Sequence, residues 1–368
     1  MQLVAKHRRI LVYRPGQIGD TLIALPALWA VRHHFPQAHL CLLTDRHPQS
    51  KFILATQVLP TEGLFDDWMS YPANELGVEV KIFPKLWWQI RQRKFDTLVY
   101  LVARNRSPKQ VQRDLLFFQL AGIKHFFGHQ GIEPFPERQS DRTMPTVTNE
   151  ADHLLQRLEL SGIRIPNRGH RPNDLRLTEA EHQHAQHWLA KRRGNTAIST
   201  PMIAIGPGSK WPSKVWPEER YAELVAKLIE EWQVMPVIFG GKEDREVGDR
   251  LIGYWGTGLN AAGELNVRQA AAAMTHCVLY IGNDTGTMHL AATAGLPCVA
   301  IFAAVDWPGR WTPYGSNHMI LRRSLPCEGC RLHVCTDQNM ECLRQIKVVD
   351  VYAAAQKQMQ KIFAVTTA

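Results

Sequence analysis

Short apolar runs alternate with amphipathic ones twice along this chain, and that alternation leaves few folds open. "RILVYR" (Arg9–Arg14) leads through "PGQIGD" into "TLIALPALWAVRHHF", where Leu22, Leu25, Leu28, Trp29 and Arg32 fall at helical spacing. "HLCLLT" (His39–Thr44) and "TLVYLV" (Thr97–Val102) read as further strands, and "RDLLFFQLAGI" (Arg113–Ile123) as a helix closed near Gly122. A Pro- and Arg-rich stretch, Ile163–Leu177, reads as a linker. Alternation then resumes with "MIAIGPGS" (Met202–Ser209), the helix Trp216–Trp232, "MPVIFGG" (Met235–Gly241), the helix Val267–Cys277, "VLYIG", "PCVAIFAA" (Pro297–Ala304) and an amphipathic helix over Val348–Ala364. The pattern predicts an α/β protein of two doubly wound parallel sheets facing a central cleft, with domains at 1–165 and 176–346 and a last helix over 347–368. Ligands of such sheets bind beyond the carboxyl ends of the strands, so the loops that follow strands are where function is expected.

A length of 368 residues suits two hydrophobic cores better than one. No apolar run reaches the roughly 18 residues of a membrane span, and no secretory leader is visible, which points to the cytoplasm. The net charge of +9 calls for an anionic partner. Without an RNA-binding signature, a helix-turn-helix or a sustained basic tract, nucleic acid ranks last, behind phosphorylated substrates and anionic membranes.

The densest set of hydrogen-bonding groups lies in "IGNDTGTMHLAATAG" (Ile281–Gly295), where a strand turns into a helix. The unpaired amides and positive dipole end of that helix form an anion site, and phosphate suits it. Gly286 allows close approach, and Thr285 and Thr287 flank it. Asp284 either caps the helix or accepts a sugar hydroxyl, and His289 is either buried or faces the same ligand. "GPGSKWPSKVWPEE" puts Ser209, Lys210 and Lys214 beside a second helix start, and Glu243 in "GGKED" ends a third strand as a candidate for a ribose or adenine contact.

In the first half, "RPGQIGD" lacks the Gly-Lys-Ser/Thr ending of a phosphate loop but holds Asp20 on a Gly-rich turn, as a general base, a helix cap or both. "ARNRSPKQVQRD" follows a strand and offers Arg104, Arg106 and Lys109 to an anionic acceptor. "VKIFPKLWWQIRQRKF" (Val80–Phe95) mixes Trp with Lys and Arg, as a membrane-surface helix does, although a helix packed on its own sheet with a solvated basic face reads the same way.

Taken together and in order, "RPGQIGDTLIALPALWAVRHHFP", "KVWPEERYAELVAKL", "FGGKEDRE", "GNDTGTMHLAATAG" and "PCVAIFAAVDWPGRWTPYG" resemble glycosyltransferase family 9, whose members include the ADP-heptose:lipopolysaccharide heptosyltransferases. The resemblance implies a GT-B fold of two Rossmann-like domains, acceptor in the first and nucleotide-sugar in the second, with the C-terminal helix crossing back to the N-terminal domain. It implies inverting transfer with no metal required, from a nucleotide-diphospho-sugar donor to an anionic glycan or glycolipid such as lipopolysaccharide core, with contact at the inner membrane surface. By the same resemblance Asp20 is the base, and Lys214, with Ser209 and Lys210 near it, meets the donor phosphates. Glu243 meets the nucleoside, and Asp284, Thr285, Gly286, Thr287 and His289 hold the sugar and diphosphate. Gln17 stands where many members carry Ser, on the acceptor side, and Ser209–Lys210 stand where heptosyltransferases carry a Thr pair.

Cys327, Cys330, Cys335 and Cys342 open with a Cys-x-x-Cys and have the spacing of a structural zinc or iron site, or of free thiols. Two other readings fit the same residues: a nucleotide-sugar epimerase or hydrolase of the same fold, and a non-catalytic nucleotide-binding assembly protein.

Overall fold

The computed structural model describes residues 8–47, 53–73, 82–104, 106–140, 143–165, 173–194, 197 and 199–366. Most of the expected linker (166–172) and the first residues of the basic-aromatic stretch, Val80 and Lys81, lie outside them. The chain divides into two compact units, 1–136 with 148–176, and 137–147 with 177–368.

The first unit runs β1 (Arg9–Tyr13), α1 (Ile18–Ile23), α2 (Leu25–His34), β2 (His39–Arg46), β3 (Asp67–Pro72), α3 (Ile82–Arg93), β4 (Thr97–Tyr100), α4 (Pro108–Leu120), β5 (His125–Phe127) and α5 (Glu150–Leu160). Its sheet has the order β3-β2-β1-β4-β5, and all neighbouring strands pair in parallel. The helix expected over Thr21–Phe35 is two helices, because Pro26 sits in the first turn of α2 and lacks the N–H that would continue α1 into it. α4 begins before Arg113, at Pro108, with Ser107 accepting the Gln110 amide as cap. Leu11, Leu43, Leu98 and Tyr100 of the sheet pack with Leu86 and Ile90 of α3 and Phe118 of α4. Arg157 of α5 is fully buried and donates to the carbonyls of Tyr100, Val102 and Gly128, which ties α5 to the end of β4. Burial lowers its pKa to about 10, so it stays charged at neutral pH.

The second unit runs α6 (Glu179–Arg193), β6 (Met202–Gly206), α7 (Glu218–Trp232), β7 (Met235–Ile238), α8 (Arg245–Trp255), β8 (Leu259–Asn260), α9 (Val267–Met274), β9 (Cys277–Asn283), α10 (Gly286–Thr293), β10 (Cys298–Phe302), β11 (His318–Arg322), α11 (Glu341–Arg344) and α12 (Val348–Thr366). Its strands, in the order β11-β10-β9-β6-β7-β8, are parallel throughout.

The last helix contributes to the core of the second unit. Val348, Val351, Ala355 and Met359 recur every three to four residues and join the core built on Ile203, Ile281 and Ile301. α12 thus packs on α7, β9, β10 and β11 of the second unit through this apolar stripe. A single boundary near 165–176 also misses 137–147. This segment joins the second unit through the Met144 amide on the Glu328 carboxylate, Arg138 on the Glu328 carbonyl, and the Val147 amide on the Pro308 carbonyl at 2.9 Å.

Both strand orders reverse next to the first strand of the unit. In the first unit the chain moves from β1 out to β3 and returns to β4 on the other side of β1; in the second it moves from β6 out to β8 and returns to β9. The loops after β1 and β4, and those after β6 and β9, therefore flank the switch points where open α/β sheets bind ligands.

Candidate active-site residues

In the second unit the switch point brings together the residues of the two richest motifs. β6 ends at Gly206, and the loop beyond it carries Ser209, Lys210 and a short 3-10 turn, Pro212–Lys214, into α7. β9 ends at Asn283, with Asp284 and Thr285 before the first turn of α10. Lys214 Nζ lies 2.9 Å from Asp284 Oδ2, with side-chain exposures of 17% and 4%. The sequence reading gave these two residues separate parts of a ligand; the structure pairs them with each other. Lys214 also lies 5.6 Å from the Trp211 ring centre. Burial pushes the Asp284 carboxyl above its usual range, and the Lys214 ammonium pulls it back.

Asp284 Oδ1 and Thr285 Oγ1 are buried and make no hydrogen bond of good geometry among the described residues, although the Tyr280 hydroxyl neighbours Thr285 and the Ala303 backbone approaches the Asp284 carboxylate. An N-cap threonine ordinarily accepts an amide of its own helix, but Thr285 makes no such bond. Its hydroxyl and that Asp284 oxygen thus lie beside the helix start at Gly286 and Thr287, whose amides have no intrahelical acceptor. Unsatisfied buried polar atoms of this kind cost free energy unless a bound group meets them.

His289, on the first turn of α10, is buried; burial first, then Lys214 and His318, lower its pKa to about 3. It is a neutral imidazole at physiological pH and offers one N–H and one lone pair rather than a charge. Ser209 Oγ accepts the Trp211 amide at 3.1 Å, and Lys210 is exposed, its carbonyl 3.0 Å from His333 Nε2.

Two residues that the sequence reading missed organise this region. Asn283, fully buried, accepts the Trp216 amide at 3.1 Å and the Tyr221 hydroxyl at 2.9 Å, and donates to the Pro207 carbonyl at 2.7 Å. It fastens the loop after β6 to the end of β9. Asp244, not Glu243, turns inward after β7. Its carboxylate accepts the Gly241 amide at 2.8 Å and lies so close to Gly208 that a Cβ there would be 1.8 Å from Asp244 Oδ1. Burial raises its pKa. Glu243 is exposed and folds over Gly241. Adjacent acids look alike in sequence, and only the turn decides which one faces the strand ends.

In the first unit, Asp20 lies in the first turn of α1, after Gln17, which is exposed and serves as the cap residue. Asp20 Oδ2 accepts the Gln17 amide at 3.1 Å, and the Arg14 guanidinium donates to the Asp20 carbonyl at 2.6 Å and lies 3.7 Å from Asp20 Oδ1. Gly16 has φ +141°, and a Cβ there would be 2.4 Å from Asp20 Cβ, so the turn requires glycine. The Gly16 amide donates to Asp45 at 2.8 Å, joining this loop to the end of β2. The carboxylate therefore sits on a braced turn and keeps 30% of its side chain exposed.

The loop after β4 places the expected basic residues unequally. Arg104 is buried: its guanidinium is 3.5 Å from Glu133 and 5.7 Å from the Phe135 ring centre, while Nε and Nη1 have no partner among the described residues. Arg106 is half-buried, 3.9 Å from Asp114, and burial opposes its charge, but Tyr13, Asp114, Tyr100 and Tyr71 around it raise its pKa. Lys109 is exposed on the first turn of α4.

The cysteine segment is organised by a different residue. Among the described residues no group of three or more His, Cys, Asp or Glu is placed to hold a metal ion, and Cys327, Cys330, Cys335 and Cys342 are free thiols. Cys330 is exposed, and Cys335 Sγ accepts the Met340 amide at 3.2 Å. What anchors the loop is Glu328, between the first two cysteines. Its buried carboxylate accepts from Arg322 at 2.7 Å, from Ser324 at 2.9 Å and from the Met144 amide. The expected zinc or iron site is not supported by this arrangement.

Two solved structures share this architecture. A glycosyltransferase family 9 protein from Veillonella parvula aligns with a TM-score of 0.69 at 21% identity, covering 96% of this chain and 98% of that one. The E. coli ADP-heptose lps heptosyltransferase II aligns at 0.65 and 21%, covering 98% and 100%. The fold is thus GT-B, that of glycosyltransferases built from two such units. Residues 167–341 match glycosyltransferase family 9 (heptosyltransferase), and lipopolysaccharide heptosyltransferase 2 of Salmonella typhimurium is 37% identical over 80% of this chain and 82% of its own length. The chain belongs to glycosyltransferase family 9, and it is a glycosyltransferase.

Proposed function

We propose that the protein transfers heptose from ADP-heptose to a lipopolysaccharide-core acceptor, with inversion at the anomeric carbon. The observation that carries the reading is the set of groups at the start of α10: the buried oxygens Asp284 Oδ1 and Thr285 Oγ1 beside the Lys214 ammonium, which Asp284 Oδ2 holds at the same helix N-terminus. A lysine ammonium has three donors, so Lys214 keeps its bond to Asp284 while donating to a phosphate oxygen. The amides of Gly286 and Thr287 and the neutral His289 N–H add donors without charge, and the helix dipole favours the diphosphate. Asp284 Oδ1 accepts a hydroxyl of the donor sugar. Asp244, at the ends of β6 and β7, takes the nucleoside role that the sequence reading assigned to Glu243.

The first unit binds the acceptor and supplies the base. Asp20 removes the proton from the acceptor hydroxyl as that oxygen bonds to the anomeric carbon and the carbon–oxygen bond to the diphosphate breaks. The departing ADP carries the negative charge away, and Lys214 with the start of α10 stabilises that charge as it develops. Arg104, Arg106 and Lys109, together with Gln17, meet the anionic groups of the acceptor. None of these steps calls for a metal. The epimerase and assembly-protein readings are not favoured, since family membership and the placement of Asp20 both suit transfer to an acceptor.

The test is direct: purified protein, ADP-heptose and a heptose-deficient core oligosaccharide, with product followed by mass spectrometry. One added heptose supports the reading. Release of free heptose without acceptor, or no consumption of ADP-heptose, counts against it.

A further inference from the structure

We propose that His333, between Cys330 and Cys335, is a positioning residue for Lys214: it holds the turn that aims the lysine at the donor diphosphate. The segment 329–333 bonds to two strand-end loops of the second unit. At one end the Gly329 amide donates to the Ala304 carbonyl at 2.6 Å and the Arg331 amide to the Val305 carbonyl at 3.1 Å, on the loop after β10. At the other end the His333 carbonyl accepts the Ser213 amide at 3.2 Å, and the Leu332 carbonyl accepts the Ser213 hydroxyl at 2.6 Å, on the loop after β6. β9 lies between β10 and β6 in the sheet and leads into Asp284 and α10. The segment therefore runs from one flank of the α10 start to the other. A tryptophan marks each end: the Arg331 guanidinium is 4.7 Å from the Trp307 ring centre, and the His333 and Trp211 ring centres are 5.6 Å apart.

These contacts converge on Lys214. It closes the short turn Pro212–Lys214, whose own backbone bonds are the Lys214 amide on the Trp211 carbonyl at 2.9 Å and the Val215 amide on the Pro212 carbonyl at 3.2 Å. Ser213, the middle residue, is buried, and the segment satisfies both its amide and its hydroxyl. Before the turn, His333 Nε2 lies 3.0 Å from the Lys210 carbonyl, so this nitrogen carries the proton that the carbonyl accepts. The His333 ring also meets Trp211, whose ring centre is 5.6 Å from Lys214 Nζ. His333 thus grips the loop through Lys210 and Trp211 before the turn and through Ser213 within it. Asp284 fixes the ammonium, and His333 fixes the backbone from which the ammonium extends. A shift of about 1 Å in that backbone moves the charge out of register with the departing diphosphate. The proposal rests on the functional reading, in which Lys214 stabilises that diphosphate, and goes beyond it to what holds the lysine in place.

The experiment is a double-mutant cycle in the full-length protein, read by steady-state transfer from ADP-heptose to a core oligosaccharide and by amide hydrogen exchange over 208–216. His333→Ala should lower kcat by about tenfold or more and leave KM for ADP-heptose within about twofold. Added to Lys214→Ala, it should lower kcat by less than about twofold further, because both changes remove the same interaction. His333→Gln keeps a donor for the Lys210 carbonyl and should recover most of the activity. The side chain is exposed, so His333→Ala should unfold thermally within about 4 °C of the wild type. Amides of 208–216 should exchange about fivefold faster or more in His333→Ala and at the wild-type rate in His333→Gln. Wild-type kcat in His333→Ala, full multiplication of the two losses in the double variant, or a loss that His333→Gln does not relieve overturns the proposal. Failure of the functional reading looks different: the wild type neither binds ADP-heptose nor transfers heptose. The exchange comparison then decides by itself whether His333 holds the turn, and equal exchange in His333→Ala and the wild type overturns the proposal.

Discussion

Lys214 Nζ and Asp284 Oδ2 are 2.9 Å apart, on loops that leave two adjacent strands of one sheet. The pair fixes the lysine over the start of α10. It also leaves the second Asp284 oxygen buried and without a hydrogen bond of good geometry among the described residues. One contact thus aims a cation and an acceptor at the same place, as binding a sugar diphosphate demands.

Replacing either member should have different consequences. Lys214→Ala removes the charge proposed to meet the developing diphosphate and should lower kcat by about 10²–10³-fold. Asp284→Asn removes the negative charge that holds Lys214 but keeps the site cationic. Calorimetry should find ADP bound at least as tightly by Asp284→Asn as by the wild type, while transfer from ADP-heptose falls by about tenfold or more. Equal losses of ADP binding and transfer in both variants would contradict the assignment.

His289 gives a pH signature. Its pKa of about 3 in the folded protein lies below the value of 6.5 expected when unfolded, so below pH 6.5 the unfolded chain binds the extra proton. Its contribution to stability is present above pH 6.5 and is lost as pH falls toward 3. Between pH 7 and pH 5 the loss from this residue is about 2 kcal/mol. Urea titrations of the wild type and His289→Gln should show a steeper acid loss in the wild type. Parallel curves would mean that His289 is not held neutral by burial.

Two buried polar groups near the site should behave oppositely. Asn283→Leu strips partners from the Trp216 amide, the Tyr221 hydroxyl and the Pro207 carbonyl, and should cost about 3 kcal/mol or more. The buried Tyr280 hydroxyl neighbours the Thr285 side chain and makes no hydrogen bond of good geometry among the described residues, so Tyr280→Phe should change stability by less than about 1 kcal/mol. Thermal unfolding of the two variants checks both.

The sequence announced the central strands because they are buried on both faces and read as unbroken apolar runs: β1, β6, β9 and β10 are all of this kind. It did not announce β3, β5 and β11, whose edge positions leave several residues partly exposed and break the run. α7 was plain from its periodicity and Pro217, whereas the start of α1 at Ile18 was hidden because Asp20 looks like a cap and instead sits inside the first turn. Site residues on strand-to-helix turns were readable because the turn itself is the signal. Asn283 and Glu328 were not, since their roles come from partners 67 and 184 residues away. The inward turn of Asp244 beside an exposed Glu243, and the docking of 137–147 and α12 on the second unit, likewise depend on tertiary packing that periodicity does not encode.

The most direct test of the central claim separates donor binding from transfer at Asp20. With Asp20→Asn, ADP-heptose should bind the purified protein as it binds the wild type, while single-turnover transfer to the core acceptor falls by about 10²–10⁴-fold, the contribution of a general base. Transfer by Asp20→Asn at the wild-type rate, with donor affinity unchanged, would contradict the account.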